Sequence, residues 1–296
     1  MTEKIRNLRV NMVIKKIKSY LQLMRLNKPI GFFLLLWPTL WALWIAADGI
    51  PPLPILFVFI LGTLIMRSAG CVINDIADRD FDKHVERTKD RPLTSGAVSL
   101  REAIILLIAL VLLAFILVLF LNLLSIELSC VALLLSIIYP FSKRFIAFPQ
   151  FILGVAFAWA IPMAFAAVLN TVPAIAWLLF SITVIWAIIY DTEYAMVDRK
   201  DDLKIGIKST AILFGRFDRV WVAALQVLML VLLGILGFEL DSGVFYYGSL
   251  MLVMGLMIYQ QFLIRERKAA LCFKAFLNNH WIGLVIFLGL VFSWGA

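Results

Sequence analysis

The sequence predicts an all-α membrane protein with nine transmembrane helices, its N-terminus cytoplasmic and its C-terminus periplasmic. Three observations carry this prediction. Of 296 residues, 63% are hydrophobic and mean hydropathy is +0.99, against roughly 45–50% apolar in a soluble domain. Apolar segments close to the ~20 residues needed to cross hydrocarbon recur along the chain. Lysine and arginine are confined to alternate connections between those segments, the asymmetry that orients membrane proteins.

The elements follow in order. Residues 1–29 form an amphipathic cytoplasmic segment in which Lys15, Lys16 and Lys18 interleave with Val13, Ile14, Ile17 and Leu21, the pattern of an interfacial helix. The stretch lacks the apolar core of a cleavable leader. The spans are 30–47, 53–73, 103–122, 124–141, 150–168, 174–190, 213–237, 243–263 and 276–294. The third and fourth are divided only around Asn122; a single helix over 103–141 would invert everything after it. No polar stretch is long enough for a separate domain, so 30–296 reads as one nine-helix domain.

Threading nine helices from a cytoplasmic N-terminus assigns 1–29, 74–102, 142–149, 191–212 and 264–275 to the inside. Nearly all Lys and Arg fall there. The outside turns, 48–52, 122–123, 169–173 and 238–242, contain none and carry Asp48, Glu239 and Asp241. An even number of helices breaks this separation. The net charge of +8 therefore marks cytoplasmic loops and contact with the lipid bilayer, not nucleic acid. Cys71, Cys130 and Cys272 lie in apolar contexts, like small hydrophobes. His84 and His280 do not cluster with them, which argues against zinc.

Two acidic clusters interrupt the apolar chain where long hydrophobic segments end. One is Asn74-Asp75-Ile-Ala-Asp78-Arg-Asp80-Phe-Asp82; the other runs from Asp191 through Glu193 and Asp198 to Asp202. At about 100° per residue, Asp75, Asp78 and Asp82 fall within about 60° of one another, and Asp191, Asp198 and Asp202 within about 40°. Asp80 and Asp201 point elsewhere. Crowded carboxylates repel unless cations neutralise them, and ionisable groups at a membrane rim mark function. Magnesium takes oxygen ligands and is held by one or two carboxylates plus phosphate oxygens. Two facing stripes suit Mg2+ clamped around a diphosphate. Arg67, two turns deeper than Asn74, needs an anionic partner. Arg87, Lys89, Arg91, Lys143 and Arg144 surround the stripes, and Tyr139, Tyr190 and Tyr194 lie near the rim.

The pattern Asn74-Asp75-x-x-Asp78-x-x-x-Asp82 with Asp198-x-x-x-Asp202 resembles the paired motifs of the UbiA superfamily of intramembrane prenyltransferases. Arg87-Thr-Lys-Asp-Arg91-Pro-Leu, and Tyr190-Asp191-Thr-Glu-Tyr194 through Ile205-Gly-Ile-Lys-Ser-Thr, resemble the branch acting on 4-hydroxybenzoate. The resemblance implies nine helices arranged around a central cavity, with the motifs facing each other near the cytoplasmic side of a bacterial inner membrane. It implies Mg2+-dependent transfer of a polyprenyl group from polyprenyl diphosphate to 4-hydroxybenzoate, ortho to the hydroxyl, an early step of ubiquinone formation. By family pattern Asn74, Asp78 and Asp82 with Asp191, Asp198 and Asp202 bind the metal; the helical stripe adds Asp75. Asp78, Asp191 and Asp198 are the expected catalytic residues, Asp191 as the base, and Arg67, Arg87, Lys143 and Tyr139 the expected substrate-binding ones. The alternatives are a sister enzyme with another aromatic acceptor, or a divalent-cation transporter. The transporter fits less well, because no inverted repeat is evident and the carboxylates sit at the rim.

Overall fold

The computed structural model describes residues 2–83 and 88–294, except for the side chains of residues 2–9, Phe81, Lys143, Ile205 and Trp294. Twelve α-helices and two 3-10 turns account for the regular structure of these residues. The amphipathic α1 (Thr2–Leu23) precedes α2 (Ile30–Ala46) and α3 (Leu53–Asp82). Then come α4 (Leu100–Val118), α5 (Leu123–Phe145), and the pair α6 (Pro149–Ala158) and α7 (Ala160–Leu169). The long α8 (Ala174–Ile205) leads through the short α9 (Thr210–Leu213) to α10 (Asp218–Glu239), α11 (Val244–Leu263) and α12 (Ala269–Trp294).

Among the described residues, eight segments are long and apolar enough to cross a membrane, and α2, at 17 residues, is a shorter ninth. The expected turn at Asn122 is present and has a clear cause. Asn122 caps α5 by accepting from the Ser125 N–H (3.0 Å), and its own amide donates to the Ala166 carbonyl. One side chain thus ends the turn and ties it to α7. At the other end of α4, Ser99 and Glu102 form a reciprocal capping box.

The structure differs from the expected spans in several places, among them the last span, expected from 276, whose helix begins at Ala269. The segment expected at 150–168 breaks at Trp159; Pro162, three residues on, has no N–H to continue the ladder. The segment expected from 213 begins at Asp218, after a 3-10 turn over Gly215–Phe217. Helices α3 and α8 continue past the ends expected at 73 and 190, to Asp82 and Ile205. Apolar content ends where hydrocarbon ends, but helical hydrogen bonding does not. Both acidic clusters are therefore helical throughout their described length.

Neighbouring helices pack in chain order from α2 to α12, and α12 returns to pack on α2, closing a ring. Between lipid-embedded helices there is little hydrophobic drive, so close van der Waals packing and small residues must hold them. The joint of α2, α8 and α12 illustrates this. Trp41 and Trp186 stack with centroids 5.2 Å apart, and Trp41 Nε1 donates to the Gly283 carbonyl (3.0 Å). A Cβ at Gly283 would strike Trp37 and Trp186. The other face of the ring encloses a cavity of about 330 Å³ between α2 and α7, lined mainly by α3, α4, α5 and the α6–α7 pair.

Gly283→Ala forces this joint apart. We expect a loss of about 1–3 kcal/mol of stability, seen as a lower thermal unfolding midpoint in detergent, whereas Gly255→Ala, with open space around its Cα, leaves the midpoint near that of the parent.

Candidate active site

The last turns of α3 and α8 carry the acids. A helix C-terminus is the negative end of the backbone dipole, so carboxylates there need cations. At α3 the cations come from two directions. Arg25, just beyond α1, grips Asp75 with Nη2 at 2.8 and 3.0 Å from the two carboxylate oxygens. Arg91, from the α3–α4 connection, donates through Nη1 to Asp75 (3.1 Å) and Asp82 (2.7 Å). Asp75, Asp78 and Asp82 are all buried, at 2%, 4% and 6% exposure. Burial pushes the Asp82 carboxyl above its ordinary pKa, and the Arg91 guanidinium pulls the other way. Asp75 thus spends its two oxygens on arginines.

On α8, Asp191, Asp198 and Asp202 are half-buried. The helix end is fixed by a fully buried acid outside both motifs. Asp218, the first residue of α10, accepts from Arg199 of α8 (2.9 Å) and from Arg267 of the α11–α12 connection (2.7 Å). Beneath the motif, Glu193 accepts from Asn279 of α12 (2.8 Å), whose Oδ1 in turn accepts from Trp186 (3.0 Å). These contacts lock α8 against α10 and α12.

Tyr139 of α5 feels the charge of residues from both motifs. Its hydroxyl lies in the field of Asp78 from α3, Asp191 from α8, Arg67 and Tyr194. Tyr190 shares that neighbourhood, in the field of Asp191, Arg67 and Tyr139. Arg67 lies over the Phe157 ring at 5.9 Å and against Gly31, where a Cβ would collide with its guanidinium. Arg67 and Tyr139 both line the apolar cavity and supply polar groups to its wall.

Of the residues singled out from the sequence, Arg67, Tyr139, Asp78 and Asp191 come together. Asn74, half-buried, precedes Asp75 on α3, and Asp198 and Asp202 extend the α8 wall outward. Arg87 and the side chain of Lys143 lie outside the described residues. Neighbouring Arg144 donates to the Ala77 carbonyl, joining α5 to α3. The sequence reading did not find the Asp218 clamp. Its only signal was an acid beside Arg216 and Arg219 at the start of a span.

Among the described residues, no three His, Cys, Asp or Glu side chains converge closely enough to hold a metal ion alone. The donors on both walls are oxygens of the type magnesium prefers.

Comparison with known proteins agrees with this geometry. Residues 35–290 match the UbiA prenyltransferase family. The chain is 56% identical over 280 residues to 4-hydroxybenzoate octaprenyltransferase of Coxiella burnetii (strain RSA 493 / Nine Mile phase I), covering 95% of this chain and 98% of that one. It is 60% identical over 273 residues to the protein of that name from Alkalilimnicola ehrlichii, covering 92% and 93%. Among solved structures, the apo UbiA homolog from Aeropyrum pernix K1 superposes with a TM-score of 0.77 at 25% identity, covering 88% of this chain and 97% of that one. The UbiA homolog from Archaeoglobus fulgidus bound to GPP and Mg2+ has the same fold, with a TM-score of 0.73 at 21% identity over 93% and 99% of the two chains. A membrane-helix architecture of this kind, with a family match over most of the chain and relatives 56–60% identical, leaves one conclusion: the chain belongs to the UbiA prenyltransferase family.

Proposed function

We propose that this protein transfers a polyprenyl group from polyprenyl diphosphate to C3 of 4-hydroxybenzoate, releasing diphosphate, as a step of ubiquinone biosynthesis. One structural observation supports the reading: an apolar cavity lined by Arg67 and by Tyr139, on which the charges of Asp78 from one motif and Asp191 from the other both act. The names of relatives 56–60% identical over most of the chain support the acceptor.

Each part of the site has a job in this reaction. Asn74, Asp78 and Asp82 on α3, with Asp191, Asp198 and Asp202 on α8, hold Mg2+ and through it the diphosphate. A homolog of the same fold holds GPP and Mg2+, which supports this assignment. When bound, the metal neutralises the charge that develops on the departing diphosphate. Asp75 does not join the ligand set here; it holds Arg91 in place beside Asp82, and Arg25 with it. The allylic carbon–oxygen bond breaks with its electron pair leaving on the diphosphate. The ring carbon ortho to the phenol hydroxyl then attacks the allylic cation, and Asp191 takes the displaced ring proton. Arg67 faces an anionic group, the diphosphate or the benzoate carboxylate. Arg87 and Lys143 supply further positive charge for substrate. Tyr139 turns an aromatic face and a hydroxyl toward the reacting centre, where ring electrons steady a cation.

The cavity keeps water from that cation. At about 330 Å³ it is at the small end of ligand pockets, enough for the reacting head but not for a long polyprenyl tail. Leu112 and Phe115 of α4 line it and are also 56% and 45% exposed, so the tail leaves past α4 into lipid. Residues 30–296 act as one domain in the bacterial inner membrane. The concentration of Lys and Arg in the connections carrying the motifs supports a cytoplasmic site.

Isolated membranes supplied with 4-hydroxybenzoate, Mg2+ and prenyl diphosphates of several lengths should yield 3-polyprenyl-4-hydroxybenzoate by mass spectrometry. Asp78→Ala and Asp198→Ala should each lower product formation by about 10²–10³-fold or more while the protein remains folded. Full activity in both variants would refute the site. Because no three His, Cys, Asp or Glu side chains among the described residues form a metal cage, Mg2+ alone should leave the thermal midpoint nearly unchanged. Mg2+ with an unreactive prenyl thiolodiphosphate, at a hundredfold excess over its Kd, should add about 2.7 kcal/mol of stability. A large shift with Mg2+ alone would contradict this.

A further inference from the structure

Helix α1 takes no part in the reaction above, yet it is latched to the body along one side. Lys16 Nζ lies 2.7 Å from Glu102 and donates to the Ala97 carbonyl (3.0 Å). Tyr20 donates its hydroxyl to Glu102 (3.0 Å), and Ser19 and Leu23 are buried. Just past the helix, Arg25 reaches Asp75. These latches fix how the helix is rolled about its own axis.

The opposite side is apolar and uncovered. Val10, Ile14, Ile17 and Leu21 recur at i, i+4, i+7 and i+11, within about 60° of one another and roughly 140° from the latched face. They are 50%, 58%, 51% and 42% exposed. Lys18, exposed, borders one edge of the stripe, and exposed Lys15 lies about 60° further round the same side. Residues 10–28 contain five Lys or Arg and no Asp or Glu. The chain enters its first apolar helix at Ile30, close after Leu23, so α1 lies where the protein meets the bilayer surface. An apolar stripe with lysines along one side, held at that level and unable to roll inward, matches one occupant: a phospholipid surface with acidic headgroups.

We propose that α1 is a membrane-surface strut, seated in an acidic leaflet by Val10, Ile14, Ile17, Leu21 and its lysines, and joined through Arg25 to Asp75 of the first acidic motif. This goes beyond the enzymatic reading and does not depend on it. Lipid contact on one face and the Arg25–Asp75 pair at the end make the helix a mechanical link between the leaflet and the end of α3. Arg91, which shares Asp75, extends that link to the α3–α4 connection.

Hydrogen exchange of the full-length protein tests this in nanodiscs of phosphatidylcholine, with and without phosphatidylglycerol. Amides of residues 12–22 should exchange more slowly in the acidic discs, and high salt should remove the difference. Lys15→Glu with Lys18→Glu should speed their exchange about thirtyfold or more in acidic discs and leave it unchanged in neutral ones. Ile14→Ser with Ile17→Ser should speed it in both. All four side chains are exposed, so unfolding midpoints in detergent should match the parent; the salt dependence of the unaltered chain repeats the test without any substitution. Equal exchange in both discs, or indifference to salt or to lysine reversal, overturns the proposal. Protection that appears only on adding a soluble cell fraction also overturns it, since the stripe would then belong to a protein.

Discussion

Carboxylates at the edge of hydrocarbon must be neutralised, and much of this structure follows from how that is done. Removing an ionised acid from water costs several kcal/mol unless a partner compensates. The protein answers with arginines drawn from other elements. Asp75 and Asp82 share Arg91 and Asp75 also takes Arg25, while Asp218 takes Arg199 and Arg267. Each pairing fastens a connection or a terminal helix to one of the long helices. Charge neutralisation and tertiary fixation are therefore the same contacts.

That arrangement divides labour among the acids. Asp75 and Asp218 are committed to arginines and keep the walls in position. Asp78 and Asp191 both act on Tyr139 in the cavity wall. A clamp built this way keeps α3 and α8 fixed. The apolar half of the molecule contributes what the acids cannot, a dry enclosure for a cation, with α4 as its lipid-facing wall.

Much of this was legible in the chain itself. Hydropathy and the alternation of charged connections gave the number and order of the spans, because crossing hydrocarbon is a local requirement on some twenty residues at a time. The 3.6-residue period placed Asp75, Asp78 and Asp82 on one face, and the continuous helix through Asp82 bears out the assumption behind it. The helix ends were less legible. Residues 74–82 and 191–205 look like loops to a hydropathy count, yet they are helical, since polar residues continue a helix as readily as apolar ones.

The sequence by itself determined the class of molecule, its run of membrane helices and the paired acidic motifs, since each depends on residues near one another in the chain. Tertiary structure alone decided which remote arginines Asp75, Asp82 and Asp218 are paired with. Asp75 and Asp78 differ by less than one helical turn, but Arg25, fifty positions away, reaches only the first. It also decided that Tyr139 feels acids of both motifs, that Asp218 anchors α8, and that the cavity lies between α2 and α7. The reason is physical: a side chain's partner is set by distance in space, and that distance exists only once remote helices have packed.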